Sequence, residues 1–188
     1  MQNPVSEVGT VVSLLTAAAS PEIQKAAFRK YFTSDAGFRH PICHVTPGPG
    51  SRDRILAIFQ WYRIMSPQLK ISTNSVVHDP ANNTLILDIV QEFHIRLSPF
   101  KPAPSRLLVR LTLREENALQ YIAFQEDFYH PDDFMSLLVP PLAPVIRTGL
   151  SVASSASAIY ARIGQLLGFW TTSGLHETNH AGLYDKSE

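Results

Sequence analysis

Cysteine is nearly absent from the sequence: Cys43 is the single one among 188 residues. One cysteine cannot form an internal disulfide, so the fold must rest on packing, and such a composition is typical of a reducing compartment. The N-terminus lacks the basic region that opens a secretory signal. We therefore expect an intracellular protein that acts in the cytoplasm.

Net charge is also absent, because sixteen basic residues are balanced by sixteen acidic residues. A neutral chain has no overall field that would attract nucleic acid, so no nucleic-acid partner is expected. The loop Thr46–Gly50 is rich in glycine and proline, but no Gly-Lys-Ser/Thr follows it, which excludes a phosphate-binding P-loop. His40, Cys43 and His44 lie close together, yet Pro41 prevents a helical arrangement and no second ligand cluster appears. We expect neither a metal ion nor a cofactor.

Helical patterns fill the first third of the chain. Apolar residues at three- and four-residue spacing predict a helix over residues 4–19, and Ser20 with Pro21 begins a second helix that should end near Thr33. Residues 38–45 are predicted to form a short extended segment. Ser51 caps a third helix to about Met65.

The period then changes to two, which predicts four strands near residues 69–78, 84–97, 105–114 and 119–129. Short connections between them favour an antiparallel meander. If Leu97 faces Ser105 across the middle hairpin, Asp88 lies opposite Arg114 and Glu92 opposite Arg110. This register pairs opposite charges on the polar face and leaves the other face uniformly aliphatic.

Prolines at 140, 141 and 144 interrupt the chain, and an apolar segment over residues 145–170 follows, with Arg147 and Arg162 as its charged residues. We expect a helix with an apolar stripe that packs on protein, either on its own sheet or across a homodimer. Peripheral membrane contact through Phe169 and Trp170 is the alternative. The predicted organisation is a domain over 1–139, a proline break and apolar helix over 140–170, and a flexible polar tail over 171–188.

Three helices, an edge segment and a curved antiparallel meander form the layout of a cone-shaped α+β fold. Three segments are similar to the nuclear transport factor 2-like (SnoaL-like) superfamily, and the proline break with its apolar segment resembles the SigF-like subgroup. The resemblance covers roughly residues 5–135 and rests on these segments: Tyr31–Ile42 (YFTSDAGFRHPI), Ile58–Tyr62 (IFQWY) and Gln125–Tyr129 (QEDFY).

This resemblance implies an apolar cavity enclosed by the concave face of the sheet and the helices. Enzymes of the superfamily use a carboxylate or histidine in the cone, helped by tyrosine or a protonated acid. We expect binding of a small hydrophobic ligand, such as a lipid or polyketide-like molecule. The alternatives are a cofactor-independent isomerase, dehydratase or cyclase, and a non-enzymatic module that dimerises or docks to membranes.

Glu126 and Asp127 are adjacent on the last strand, so their side chains point to opposite faces and one should point inward. A plain four-residue connection before this strand places Gln120, Ile122, Phe124 and Glu126 on the cone side; a bulged one places Tyr121, Gln125, Asp127 and Tyr129 there. If the protein is an enzyme, the inward carboxylate should transfer protons, with His44 or Tyr62 near the mouth. The candidate pocket residues are Tyr31, Phe59, Trp61, Phe93, Tyr121 and Phe124.

Overall fold

The computed structural model of the chain describes residues 1–170, so the predicted tail over 171–188 lies outside the described residues. The helices are α1 (Pro4–Thr16), α2 (Pro21–Tyr31), α3 (Ser51–Met65), α4 (Pro131–Leu138) and α5 (Ala143–Leu166), with a 3-10 turn at Pro140–Leu142. The strands are β1 (Phe32–His40), β2 (Cys43–Val45), β3 (Lys70–Asp79), β4 (Thr84–Glu92), β5 (Pro104–Glu116) and β6 (Leu119–Tyr129).

Side-chain caps fix where the first two helices begin. The Asn3 side chain accepts a hydrogen bond from the Ser6 N–H at 3.2 Å, and the Glu7 carboxylate returns to accept the Asn3 N–H at 2.8 Å. The Ser20 hydroxyl accepts the N–H of Ile23 at 3.3 Å. Each bond satisfies a backbone donor that a helix terminus leaves without an intrahelical partner.

The six strands form one sheet in the order β2-β1-β6-β5-β4-β3. The α+β cone that the sequence predicts is confirmed, but the sheet is mixed, because β1 pairs parallel to β6 while all other pairs are antiparallel. The single extended segment predicted over residues 38–45 is instead the end of β1, a turn, and β2, which pairs back on β1 as the edge strand. β1 begins at Phe32, directly after α2, and runs to His40.

The predicted register of the middle hairpin is wrong: Ser105 pairs with Gln91 rather than with Leu97. β4 ends at Glu92, and the chain then leaves the sheet, where the His94 N–H donates to the Ser66 hydroxyl at 3.0 Å. Neither predicted charge pair forms. Asp88 instead accepts two hydrogen bonds from Arg106, at 2.9 and 2.8 Å.

The other charges of this face pair with neighbours that the prediction did not consider. Glu92 contacts Lys70 at 3.1 Å, and Arg114 donates to Asp35 at 2.9 Å.

The predicted register is wrong by an even number of residues, so the side chains of β4 and β5 keep their predicted faces, whereas residues 93–97 lie outside the sheet. Leu85, Leu87 and Ile89 of β4 are buried together with alternate residues of β5. They form the core with α1, α2 and α3, in which Val8, Phe28, Ile55 and Phe59 are buried. The predicted aliphatic inner face of the sheet is therefore present.

The chain divides into two units, the first from Met1 to Arg147 and the second beginning at Thr148. The first contains the sheet, the core and helices α1 to α4. The start of α5 is anchored there, since Ala143 is buried and Arg147 contacts Asp132 at 3.1 Å.

From Thr148 onward nearly every described side chain of α5 is exposed, including Val152, Ile159 and Ile163. Among the described residues, one helical stretch, Pro140–Leu166, is long and apolar enough to cross a membrane by length and composition alone.

Candidate functional site

A cavity of about 90 Å³ lies inside the first unit, between the inner face of the sheet and helices α1, α3 and α4. One water molecule needs roughly 10–15 Å³ by this measure, so the space admits several waters or a small organic molecule. Most of the wall is aliphatic or aromatic, and it includes Val8, Phe59, Leu87, Phe93, Leu107, Val109, Leu111, Ile122 and Phe134. The polar side chains of the wall are Thr16, His40, Tyr62, Gln91, Gln125, Asp127 and Tyr129.

A bulge in β6 decides which polar side chains enter the cavity. Leu113 pairs with Ile122 and Thr112 with Phe124, so Ala123 is an extra residue in the strand. Ile122 faces inward before the bulge, and Gln125, Asp127 and Tyr129 line the cavity after it. The pattern for a plain connection is therefore correct before the bulge, and the pattern for a bulged connection is correct after it. The extra residue lies inside the strand and not in the turn before it.

Asp127 is the acidic residue of the cavity wall. Burial raises the pKa of its carboxyl group to about 7. The Gln125 amide donates a hydrogen bond to Oδ1 at 2.9 Å, which by itself lowers the pKa. An apolar environment disfavours the charged form of a carboxylate, and one hydrogen bond compensates only in part. Asp127 can therefore accept or release a proton near neutral pH.

Two tyrosine hydroxyl groups flank this carboxyl in the wall. The Gln91 amide donates to the Tyr129 hydroxyl oxygen at 2.7 Å, and burial, followed by the negative charge of Asp127, holds the pKa of Tyr129 well above its usual value. The Tyr62 hydroxyl lies 3.3 Å from the Cys43 Sγ, and burial raises its pKa as well. Both phenols stay neutral and can donate hydrogen bonds to a ligand.

His40 completes the polar part of the wall. It is buried among the rings of Tyr62, Tyr129 and Phe134, and burial lowers its pKa to about 4. The Ile42 N–H donates to Nδ1 at 3.4 Å, which leaves the proton of the neutral imidazole on Nε2. His40 can thus offer a neutral N–H to a ligand but carries no charge near pH 7.

The structure brings together four of the residues predicted for the site: Phe59, Tyr62, Phe93 and Asp127 all line the cavity. Glu126 lies on the opposite face, where it contacts Arg110 at 3.5 Å and Arg39 at 3.8 Å. Five predicted residues are outside the cavity wall: His44, Tyr31, Trp61, Tyr121 and Phe124. Of these, His44 and Trp61 are exposed.

The sequence contained a signal for one residue that was not predicted. Gln91 breaks the apolar alternation of β4, and it does so because its amide supports Tyr129 inside the cavity. His40 had a weaker signal, its spacing of two from the buried Phe38. Pro41 masked this signal, because a proline argues against a strand at its position.

A mixed sheet wrapped around an apolar cavity, with a few polar groups on one wall, defines the class of nuclear transport factor 2-like α+β cones. The sequence matches the SigF NTF2-like domain over residues 1–169, and the chain belongs to this family. No curated protein matches the sequence.

Two solved structures, from Anabaena variabilis and Burkholderia pseudomallei, support the same fold. An NTF2-like protein from Anabaena variabilis is 15% identical, with a TM-score of 0.51 over 68% of this chain and 90% of that one. An NTF2-like protein of unknown function from Burkholderia pseudomallei is 10% identical, with a TM-score of 0.51 over 69% and 95%. A hypothetical protein of ketosteroid isomerase-like fold from Catenulispora acidiphila, crystallised with trimethylamine, is 17% identical, with a TM-score of 0.48 over 68% and 90%. At these identities the likeness concerns the fold alone.

Proposed function

We propose that the protein binds a small, largely apolar molecule in the cavity and holds one polar group of that molecule at Asp127, Tyr129 and Tyr62. The observation that carries this proposal is the wall itself: extensive aliphatic and aromatic surface, with the hydrogen-bonding groups collected on a few residues. Such walls are typical of small-molecule sites, where apolar area supplies affinity and a few polar groups fix the orientation. The free thiol of Cys43 supports an intracellular place of action.

Native mass spectrometry of the full-length protein, followed by extraction of any bound molecule, tests the proposal. Val109→Phe should remove the bound mass, because residue 109 is buried in the cavity wall next to Asp127 and the added ring occupies the space. Leu108→Phe is the matched control, since Leu108 is 45% exposed on the outer face of the same strand. Circular dichroism would show whether both variants are folded. Equal ligand content in two folded variants would place the ligand outside the cavity.

A second function is favoured by one observation, the carboxyl group of Asp127 with a pKa of about 7 inside an apolar cavity. A base with this pKa is suited to removing a proton next to a carbonyl, and neutral tyrosine hydroxyls are suited to stabilising the resulting enolate. We therefore propose isomerase, dehydratase or cyclase chemistry as the alternative to simple binding. It would require no cofactor.

Exchange of α-protons for deuterium in small apolar ketones, followed by NMR, tests this alternative without knowledge of the natural substrate. The rate should rise with pH through about 7, as Asp127 ionises, and Asp127→Asn should abolish it. Glu126→Gln is the control, because it removes the neighbouring carboxylate on the outer face. Exchange that survives Asp127→Asn would exclude Asp127 as the base.

A further inference from the structure

Helix α5 separates its residues into two faces. With 3.6 residues per turn, Val145, Val152, Ile159, Ile163 and Leu166 fall on one side. The opposite side carries Arg147, Ser154 and Gln165 together with Leu150, while Ser151 and Arg162 lie along the border of the apolar side. The apolar side is exposed at each of these five residues, with Val152 at 63% and Ile159 at 58%. An apolar helix face left open to water marks an interaction surface.

The charges of this region restrict the kind of partner. From Phe134 to the end of α5 there is no acidic residue. Arg147 is already held by Asp132, which leaves Arg162 as the second cation of the helix. The other polar side chains are mostly serines, spread around the helix, and Ser154, Ser155 and Ser157 each donate to the carbonyl four residues earlier. A helix with so little charge is compatible with lipid headgroups of either charge and repels none of them.

The aromatic residues after the helix point to the same partner. Phe169 and Trp170 lie three and four residues after the last residue of α5, and both are 81% exposed. Tryptophan is favoured at the boundary between lipid and water, because its ring has an apolar body and one polar N–H.

A position across the bilayer fits these residues less well than a position along its surface. A spanning helix needs about 20 consecutive apolar residues. Arg147 and Arg162 are 15 positions apart in the sequence, so a span would bury at least one of them together with the serines. Lying in the interface instead lets both long arginine side chains reach the headgroup layer while the valine and isoleucine side enters the acyl chains.

We propose that α5 is an amphipathic helix that docks the protein on the surface of a lipid bilayer. Since the polar face contributes little charge, insertion of the apolar side chains supplies most of the affinity. Binding should therefore favour strongly curved bilayers, whose headgroups leave more acyl chain accessible, and should be almost insensitive to salt. This inference is independent of the cavity and of its ligand.

Flotation of the full-length protein with phosphatidylcholine vesicles tests the proposal. We expect binding to small sonicated vesicles that exceeds binding to large extruded ones and that persists in high salt. Val152→Asp with Ile159→Asp should weaken binding by about 100-fold or more, because two apolar side chains no longer enter the acyl chains. Ser151→Asp with Ser154→Asp adds the same charge outside the apolar side and should leave binding within a few-fold of wild type.

Fluorescence supplies a second readout. Trp61→Phe leaves Trp170 as the single tryptophan, and its emission should shift to shorter wavelength when small vesicles are added. Absence of flotation, or equal flotation of the two aspartate variants, would overturn the proposal. So would a wild-type dimer that the apolar-side variant dissociates, since the stripe would then bind a second copy. Retention of the protein in vesicles after alkaline carbonate would overturn it in favour of a spanning helix.

Discussion

Glu126 and Asp127 are chemically alike and adjacent, yet they have different roles in the fold. Glu126 contacts Arg39 and Arg110 on the face open to water, where such pairs stabilise by roughly 0–1 kcal/mol. Asp127 enters the cavity, where burial raises its pKa to about 7. The extra residue Ala123 produces this difference, because it decides which side chains face inward in the second half of β6.

The buried carboxyl of Asp127 should make stability depend on pH. Its pKa is about 7 in the folded protein and near its ordinary 3.8 in the unfolded chain. Below about pH 4 both states are protonated, and between 4 and 7 the folded state binds more protons. The free energy of unfolding should therefore fall as pH rises through this window, by at most about 4 kcal/mol in total.

Asp127→Asn isolates this contribution, because asparagine keeps an acceptor for the Gln125 amide but does not titrate. Urea unfolding from pH 4.5 to 8, values chosen to bracket the pKa of about 7, should show the variant gaining stability over wild type as pH rises. The difference should grow by as much as about 1.4 kcal/mol per pH unit. A difference that is constant across this range would mean that Asp127 is ionised throughout.

At the scale of elements, the parallel pair of β1 and β6 depends on a close approach at Gly37. This residue pairs with Phe124, and a Cβ atom added to it would lie 2.4 Å from the Phe124 ring and 2.7 Å from Pro47. The Phe124 ring therefore packs against β1 at Gly37 and does not enter the cavity. The sequence predicted it as a pocket residue.

Gly37→Ala should therefore destabilise the protein by about 1–3 kcal/mol, since either the ring or the strand has to move. Gly9→Ala is the control in α1, where an added Cβ meets nothing within 4 Å. That variant should stabilise by about 0.5–1 kcal/mol, because alanine has the higher helix propensity. Thermal unfolding of both proteins measures the contrast, and equal effects would contradict the close approach at Gly37.

The sequence specifies most elements because their patterns are local. Period-two alternation predicted β3 to β6, and the cap at Ser20 predicted where α2 begins. The predicted cap of α3 is wrong: Ser51 is its first residue, while Gly50, in the left-handed conformation at φ 73°, is the capping residue and no side chain caps this helix. The register of β4 and β5 could not be predicted, because the alternation does not indicate that the chain leaves the sheet after Glu92. The same limitation applies to the bulge at Ala123, since alanine fits either phase of a strand.

At the scale of the whole molecule, the cavity could be predicted only through the resemblance to a known fold. The aliphatic inner face was visible in the sequence, but which aromatic side chains meet it depends on how helices and sheet pack. Tyr62 and Phe93 reach the cavity wall, whereas Trp61, the neighbour of Tyr62, is exposed. One residue along a helix changes the direction of a side chain by about 100°.

The two units should also differ in their contribution to stability. The core cluster lies entirely between Met1 and Ile122, whereas the apolar side chains of α5 beyond Arg147 are exposed. A chain that ends after Arg147 should therefore unfold at the same temperature as the full-length protein and should remain monomeric. Calorimetry and analytical ultracentrifugation test this. Aggregation or a lower unfolding temperature would instead support the expectation from sequence, that α5 packs on protein.

The central claim, that a small apolar molecule occupies the cavity, is tested most directly by methyl NMR with a panel of small aromatic and alicyclic ketones. Leu87, Leu107 and Ile122 line the cavity, while Ile86 and Leu108 lie beside two of them in sequence and are 41% and 45% exposed on the outer face. We predict saturable shifts of the three cavity methyl signals and unchanged signals from Ile86 and Leu108. Shifts confined to the outer methyl groups, or none across the panel, would contradict the claim.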